Sequence, residues 1–387
     1  MKKLLIATAA LAMVAGTAQA QSSVTVYGLL DIGYAASENA TTNTSGVTST
    51  VKQKNTGNGD GNLATSRFGV RGSEDLGGGL KANFQLEWDL IDIGMGGNGN
   101  TSISKTAADT TTSISRGASA DQAAGFGARY SWVGLEDAKL GQLRLGRQEQ
   151  SIHSVVVGGS AGMANNVAGA LYSAGMNASP NDASVRPHLV FVNRAITYIS
   201  PAFNGFRVEA QTANQDIDNA GVVSYAKETG GSLKYAAGKF AAAYGFADSK
   251  TDTTNANATT DDVKKQQAIS ASYDLGVAKL FAVNTKRKDT MAGALVADTK
   301  LTEVGVQVPM GKTVLFASGF DGSRKGNTQS ALATANADVS GYQVGAIYNL
   351  SKRTAAYAIY GNQEIKATEN SSKVETTTTA IGVRHSF

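Results

Sequence analysis

Apolar residues recur at every second position through most of this chain, and the connections between those runs alternate strictly between short and long. Val24, Val26, Leu30, Ile32 and Tyr34 alternate with Thr25, Tyr27, Asp31 and Gly33, and Ala82, Phe84, Leu86, Trp88 and Leu90 alternate with Asn83, Gln85, Glu87 and Asp89. The same period returns at Tyr342, Val344, Ala346 and Tyr348, and at Thr379, Ile381, Val383, His385 and Phe387. Alternation at period two puts one class of residue on each face of a sheet. Period alone suits a soluble sandwich equally well, so the connections decide. Short ones fall at residues 74–79, 137–140, 201–204, 237–238, 274–277, 310–311 and 349–352. Between them lie long polar segments at 37–62, 93–128, 150–189, 214–223, 248–263, 288–299, 321–337 and 366–376. This alternation predicts sixteen strands with both termini on the short-turn side. An even strand number with short turns at one end and long loops at the other describes a transmembrane antiparallel β-barrel, with periplasmic turns and extracellular loops.

The rest of the sequence removes the competing classes. The longest uncharged stretch, Ser154 to Asn181, is broken throughout by Gly, Asn and Ser. A spanning helix needs about 20 predominantly apolar residues, so a membrane-resident chain of this kind must close its strands into a barrel. Before the first strand, Lys2 and Lys3 precede an apolar run from Leu4 to Gly16 and a small-x-small site at Ala18-Gln19-Ala20. That order predicts a secretory signal peptide over 1–20, leaving 21–387 as one barrel domain without a linker. The 387 residues include no Cys, which excludes disulfides, thiolate metal sites and thiol catalysis, and three scattered His offer little to a metal. A net charge of +4 is too small to argue for nucleic acid.

Three stretches imitate chemical motifs without their context. Gly94-Met95-Gly96-Gly97-Asn98-Gly99 matches a dinucleotide fingerprint but lies in a low-complexity loop with no helix after it. Gly311-Lys312-Thr313 ends like a phosphate loop whose first Gly would fall at Val306, and Asp216-x-Asp218 starts like a calcium loop that Ala220 and Lys227 break. The sequence therefore calls for no cofactor and no catalytic residue.

Lumen-facing residues of a barrel alternate with lipid-facing ones, so phase locates the inner charges. Phe68 and Val70 share one face while Arg67, Gly69, Arg71 and Ser73 share the other. With the apolar face toward lipid, Arg67 and Arg71 point inward, because Arg facing lipid at mid-depth costs about 2–4 kcal/mol. Arg144, between Leu143 and Leu145, falls inward by the same logic. Arg147 follows Leu145 outward in a regular strand, but Gly146 permits a bend that would set it at the mouth of a constriction. Glu87, Asp89 and Asp31 are inward by phase and are expected on the wall opposite the arginines. As a cluster, the arginines favour anions. Tyr27, Tyr34, Trp88, Trp132, Tyr342, Tyr348, Tyr357, Tyr360 and Phe387 are candidates for two interfacial aromatic girdles.

Several segments, spread from the first strand to the last, resemble the Gram-negative general porin family. They are Val24-Thr25-Val26-Tyr27-Gly28, Ser66 to Gly77 with Gly79-Leu80-Lys81-Ala82, Leu145-Gly146-Arg147-Gln148, Tyr198 to Phe206, and Gly382-Val383-Arg384-His385-Ser386-Phe387. The resemblance implies a homotrimer of sixteen-stranded barrels in the outer membrane, each a water-filled channel for small hydrophilic solutes, narrowed by the third long loop folded into the pore. It also implies contact with outer-membrane lipid, lipopolysaccharide included, and delivery by the outer-membrane assembly machinery through the C-terminal Phe387. The chain departs from the family in that loop, where members often carry an acidic, Pro-containing motif. Here 150–189 contains a single acidic residue, Asp182, beside Arg186, His153 and His188. It departs again at Leu189-Val190-Phe191-Val192, where polar residues are usual. The rival readings are a substrate-specific channel, a barrel enzyme using His153 or His188, and an adhesin acting through the long loops.

Overall fold

The computed structural model describes residues 23–56, 61–91, 100–106, 113–117, 125–163, 165–174, 186–219, 222–255, 258–326 and 336–387. The leader expected at 1–20 and Asp182 lie outside these residues. In chain order the strands are β1 (Ser23–Thr42), β2 (Thr48–Thr56), β3 (Arg67–Gly77), β4 (Leu80–Ile91), β5 (Asn100–Thr106), β6 (Ser113–Gly117), β7 (Gly125–Asp137), β8 (Gly141–Glu149) and β9 (Phe191–Ile199). They continue as β10 (Phe206–Asn219), β11 (Val222–Ala237), β12 (Phe240–Asn255), β13 (Ala258–Asp274), β14 (Lys279–Met291) and β15 (Ala294–Met310). The last four are β16 (Thr313–Lys325), β17 (Ala337–Asn349), β18 (Thr354–Ala367) and β19 (Lys373–Ser386), and a short helix α1 (His153–Gly158) stands between β8 and β9.

Among the described residues, all strands except β2, β5 and β6 form one closed antiparallel barrel of 16. Closure is made by β1, which pairs with β3 from Ser23↔Ser73 to Leu29↔Arg67 and with β19 from Leu29↔Ser386 to Thr42↔Lys373. Phe387 completes the seam by exchanging two 3.1 Å backbone hydrogen bonds with Gly28. The Phe387 ring lies where a Cβ on residue 28 would stand, so Gly28 makes room for the last aromatic. No barrel strand is left with an open edge, and a chain in hydrocarbon requires that.

The seven short connections fall where the sequence puts them. The one between β3 and β4 sets Gly77, Gly78 and Gly79 at φ 86°, 65° and 91°, a run of left-handed residues open only to glycine at this density. At the opposite end the expectation of loops needs correction. Segments 214–223, 248–263 and 288–299 are mostly strand: β10 reaches Asn219, β12 reaches Asn255 and β14 reaches Met291 before each ladder turns. Their β-branched Thr and Val support extended pairing beyond the membrane, and Ala292 and Gly293, at φ 49° and 76°, make the left-handed pair of a two-residue hairpin. The first two long connections also contain strand: β2 pairs with β1 and β5, and β5 pairs with β6, as a sheet extending past the barrel rim.

The third long connection fills one side of the lumen. Ile152, Val155, Val156, Leu171 and Ala174 pack on inward-facing Ala247, Ala268, Val283, Leu301, Phe320, Val339, Ile365 and Val374. A barrel lumen is normally polar. Here the lumen side of β12 to β19 sets these apolar residues among buried polar ones such as Gln266, Thr285 and Gln363, because protein lies against them. Polar clamps fix the depth of the loop. Gln343 Nε2 donates to the carbonyls of Val167 and Ala168 at 2.9 and 3.0 Å, and Glu303 Oε2 accepts from the Leu171 N–H at 2.9 Å. A Cβ at Gly361 would collide with the Ala168 carbonyl oxygen. Gly361→Val is therefore expected to lift residues 165–174 off the wall, with amide hydrogen exchange there rising at least tenfold while β10 to β13 stay protected.

Candidate functional site

With β12 to β19 covered, the open lumen runs along the inner faces of β3, β4, β7 and β8. Register fixes which side chains face it, since directly paired residues share a face. Arg67 pairs with Asp89, Gly69 with Glu87 and Arg71 with Gln85. In turn Glu87 pairs with Tyr130, Gln85 with Trp132, and Gly134 with Arg144. Outward neighbours on these strands, among them Val133, Leu135, Leu143 and Leu145, are exposed apolar residues. Arg67, Arg71, Arg144, Glu87 and Asp89 thus stand on the inner face.

The acidic residues do not form the opposing wall that phase suggested. Glu87 and Asp89 lie beside the arginines and are bound by Arg129, whose Nε donates to Glu87 Oε1 at 2.7 Å and whose Nη1 donates to Asp89 Oδ1 at 3.0 Å. Arg67 Nη1 approaches Glu87 at 4.0 Å, and Tyr27 donates its hydroxyl to Glu87 Oε2 at 2.9 Å. Glu87 is only 3 % exposed, so its charge serves to hold cations in place. Asp31 is also corrected. It is 0 % exposed and accepts from the N–H groups of Leu63 and Ala64 at 2.8 and 2.7 Å and from the Tyr357 hydroxyl at 2.5 Å. Asp31 therefore anchors the chain entering β3 and presents no charge to the lumen.

Arg129 is the residue that sequence phase missed. In a regular β7 it would share the outward face with Ser131 and Val133. A bulge at Glu87/Trp88, where Trp88 pairs with Ala128 and Glu87 with Tyr130, leaves Arg129 as the extra residue and turns it inward. The only sequence signal is an arginine at an outward phase close to a strand end, where a bulge costs little. A second irregularity, at Gly146/Gln148 on β8 and β9, re-aims Arg147. Gly146 takes φ 132° there. Arg147 donates to the Ala128 carbonyl at 2.8 Å and to Asn193, and its guanidinium lies 4.8 Å from the centre of the Phe191 ring.

Each arginine is oriented by an aromatic or a carboxylate. Arg71 stands over Tyr27 at 5.1 Å, Arg144 over Trp132 at 4.4 Å, and Arg129 over Phe191 at 5.1 Å. Cation–π contacts of this kind hold a guanidinium without neutralising it. Tyr27, Trp132 and Tyr357 are therefore lumen residues and not girdle residues. Trp88 stacks with Phe68 at 6.4 Å, Tyr342 pairs with Tyr360 at 6.2 Å, and Tyr342, Tyr348, Tyr360 and Phe387 are exposed. The wall carries five arginines, Arg67, Arg71, Arg129, Arg144 and Arg147, with the carboxylates of Glu87, Asp89, Glu136 and Glu149 on the same inner face. Across from it, 150–163 and 165–174 contain no Asp, Glu, Lys or Arg.

The two legs of the inserted loop meet at a histidine pair. His153 Nδ1 lies 2.9 Å from His188 Nε2, with Tyr172 beside both rings. Glu149 stands 3.6 Å from His153 Nε2, and Arg67, Arg129 and Arg287 are the nearby cations. Burial lowers the pKa of His153 and lowers that of His188 well below the ordinary histidine value, so the folded loop holds both neutral. The unfolded chain takes up protons below about pH 6.5. Stability contributed by the pair is thus present above that pH and falls as pH drops, by on the order of 1 kcal/mol per pH unit for each histidine. Thermal unfolding measured from pH 7.5 to 5 is expected to show this loss, and His153→Gln with His188→Gln is expected to flatten it.

Removing Arg129 tests the wall itself. Arg129→Ala leaves the buried Glu87 with only the Tyr27 hydroxyl and the more distant Arg67, a loss bounded above by the roughly 3–5 kcal/mol of a fully broken buried pair. The expected result is a lower unfolding temperature together with a zero-current potential shifted toward cations, whereas Arg129→Lys keeps the sign of the potential.

The comparisons agree with this geometry. The family model described as Gram-negative porin matches residues 7–368. "Outer membrane porin protein 32" of Delftia acidovorans is 29 % identical over 415 residues, covering 100 % of both chains. An outer membrane porin protein of Bordetella pertussis is 28 % identical over 426 residues, again covering 100 % of both. Among solved structures, the anion-selective porin from Comamonas acidovorans superposes with a TM-score of 0.64 at 25 % identity, over 95 % of this chain and 100 % of that one. A closed 16-strand barrel with an arginine-lined lumen, matched across nearly its full length, belongs to the Gram-negative porin family of the outer membrane.

Proposed function

We propose that this porin passes small hydrophilic solutes and ions passively with a preference for anions, and that Arg67, Arg71, Arg129, Arg144 and Arg147 create that preference. The observation that carries the reading is the clustering of five arginines on the inner faces of β3, β7 and β8, opposite a loop without Asp, Glu, Lys or Arg over 150–163 and 165–174. Rings of Arg and Lys mark anion pores, and the similarity to a solved anion-selective porin supports the same reading. The working unit is a homotrimer, as the family resemblance implies. Residues 1–20 are removed on export, Phe387 is read by the assembly machinery, and the mature barrel sits against outer-membrane lipid including lipopolysaccharide.

A planar bilayer under a KCl gradient tests the preference. The expected zero-current potential favours chloride, most strongly at low salt, because mobile ions screen lumen charge over about 10 Å at 0.1 M. Replacing Arg67, Arg71 and Arg144 together by Glu is expected to reverse its sign. A potassium-favouring potential from the unmodified protein would refute the assignment while leaving the channel intact.

A further inference from the structure

Below α1, toward the short turns, the cover that the inserted loop gives the inner wall stops and a pocket of about 440 Å³ opens. Ser154 and Gly158 of α1 form its roof, and its floor is the inner face of β10, β11, β12 and β13. Register lays that floor out in rows. Arg207 is opposite Lys234, Lys234 is opposite Ala243, and Ala243 is opposite Ser270. One row nearer the turns, Ala236 is opposite Ala241 and Ala241 is opposite Ser272. Cations stand at one end of the floor, hydroxyls at the other, and bare alanine lies between them.

Each part of this floor is unusual for its place. A lumen is normally polar, and the apolar inner residues farther up the wall are covered by the loop. Here Ala241 and Ala243 are only half-buried and Ala236 is exposed. Arg207 and Lys234 are directly opposed like charges, an arrangement that is destabilising by itself. They share one nearby carboxylate, Glu209, whose Oε2 lies 3.7 Å from Lys234 Nζ while its Oε1 accepts from the Ser151 hydroxyl at 2.8 Å. Arg207 is exposed and forms no ion pair among the described residues. Ser270 and Ser272 are buried, at 6 % and 7 % exposure, and among the described residues their hydroxyls have no hydrogen-bond partner.

We propose that this pocket binds a small organic carboxylate with a compact hydrocarbon body, its carboxylate on Arg207 and Lys234 and its body on Ala236, Ala241 and Ala243. Small-molecule sites have volumes of about 300–1,000 Å³ and are mostly apolar with a few placed polar groups, and the pocket meets that description. Arg207 supplies the planar fork that fits a carboxylate and Lys234 a point charge beside it. Two strand spacings separate Lys234 from Ser270, about 10 Å, which suits one aromatic ring on a short arm. Bound in this way, the carboxylate relieves the repulsion between the two cations, and the body covers the alanines that the loop leaves open. The inference goes beyond the anion preference proposed above: it concerns the opposite side of the lumen and uses none of the five arginines.

The test uses the full protein in a planar bilayer, with phenylacetate as the probe and current fluctuation in KCl as the readout. Phenylacetate is expected to block saturably, and more strongly from the side of the short turns. Acetate, which lacks the body, and 2-phenylethanol, which lacks the charge, are expected to bind at least tenfold more weakly. The variant R207Q/K234Q is expected to weaken phenylacetate binding at least tenfold. A Cβ at Gly158 would meet nothing within 4 Å, so G158L fills the pocket from its roof while both cations stay in place, and it is expected to weaken binding equally. Heat-modifiable electrophoretic mobility establishes that each variant is folded. Acetate or 2-phenylethanol blocking as strongly as phenylacetate would overturn the site, as would unchanged block in either variant. Phenylacetate block that persists where the KCl zero-current potential shows no chloride preference would uphold the pocket and refute the arginine assignment alone.

Discussion

Every barrel strand must find hydrogen-bond partners on both sides, because hydrocarbon offers none. This constraint governs the structure from the seam outward. β1 meets it with two different neighbours along its length, first β3 and then β19, and Phe387 finishes the junction by pairing with Gly28. A closed ladder fixes the phase of each strand, and phase fixes which side chains see lipid and which see the lumen. Arg67, Arg71 and Arg144 stand inward because Val70, Leu143 and Leu145 must stand outward.

Closure leaves an interior that residues 150–163 and 165–174 enter. They insert as a packed element, with Ile152, Val155 and Leu171 buried against the inner wall and the backbone carbonyls of Val167 and Ala168 held by Gln343. The apolar cluster on the inner wall of β12 to β19 and the charged wall of β3 to β8 are consequences of one event. Where the loop rests, water is excluded. Where it does not, guanidinium groups keep their hydration on one side and an aromatic or carboxylate partner on the other.

Much of this was legible in the sequence. Alternation at period two and the short-long order of connections predicted sixteen strands and their orientation, since both depend on local chemistry. Arg67, Arg71 and Arg144 sit in regular stretches of strand, so phase placed them. Arg129 was illegible because a bulge is a relation between two strands, and neither β4 nor β7 announces it alone. Arg147 was half legible, as Gly146 signals that a bend is permitted without saying which way it turns. Asp31 had the right phase and the wrong role: its partners, Leu63, Ala64 and Tyr357, come from distant parts of the chain. The strands beyond the rim read as loops in the sequence because Thr, Asn and Asp suit a polar connection and a ladder in water equally well.

Buried acids and open arginines on one wall are parts of the same arrangement. Five guanidinium groups set close together repel one another and would splay into solvent. Glu87 and Asp89 restrain Arg129, and Tyr27, Trp132 and Phe191 restrain Arg71, Arg144 and Arg147 through their ring faces. A carboxylate beside each arginine would have cancelled the field that solutes meet. An aromatic ring orients the cation and leaves its charge in place, so the wall is rigid and still positive. The proposed anion preference would rest on that oriented charge, and an unselective polar lining would need neither the rings nor the bulge that brings Arg129 inside.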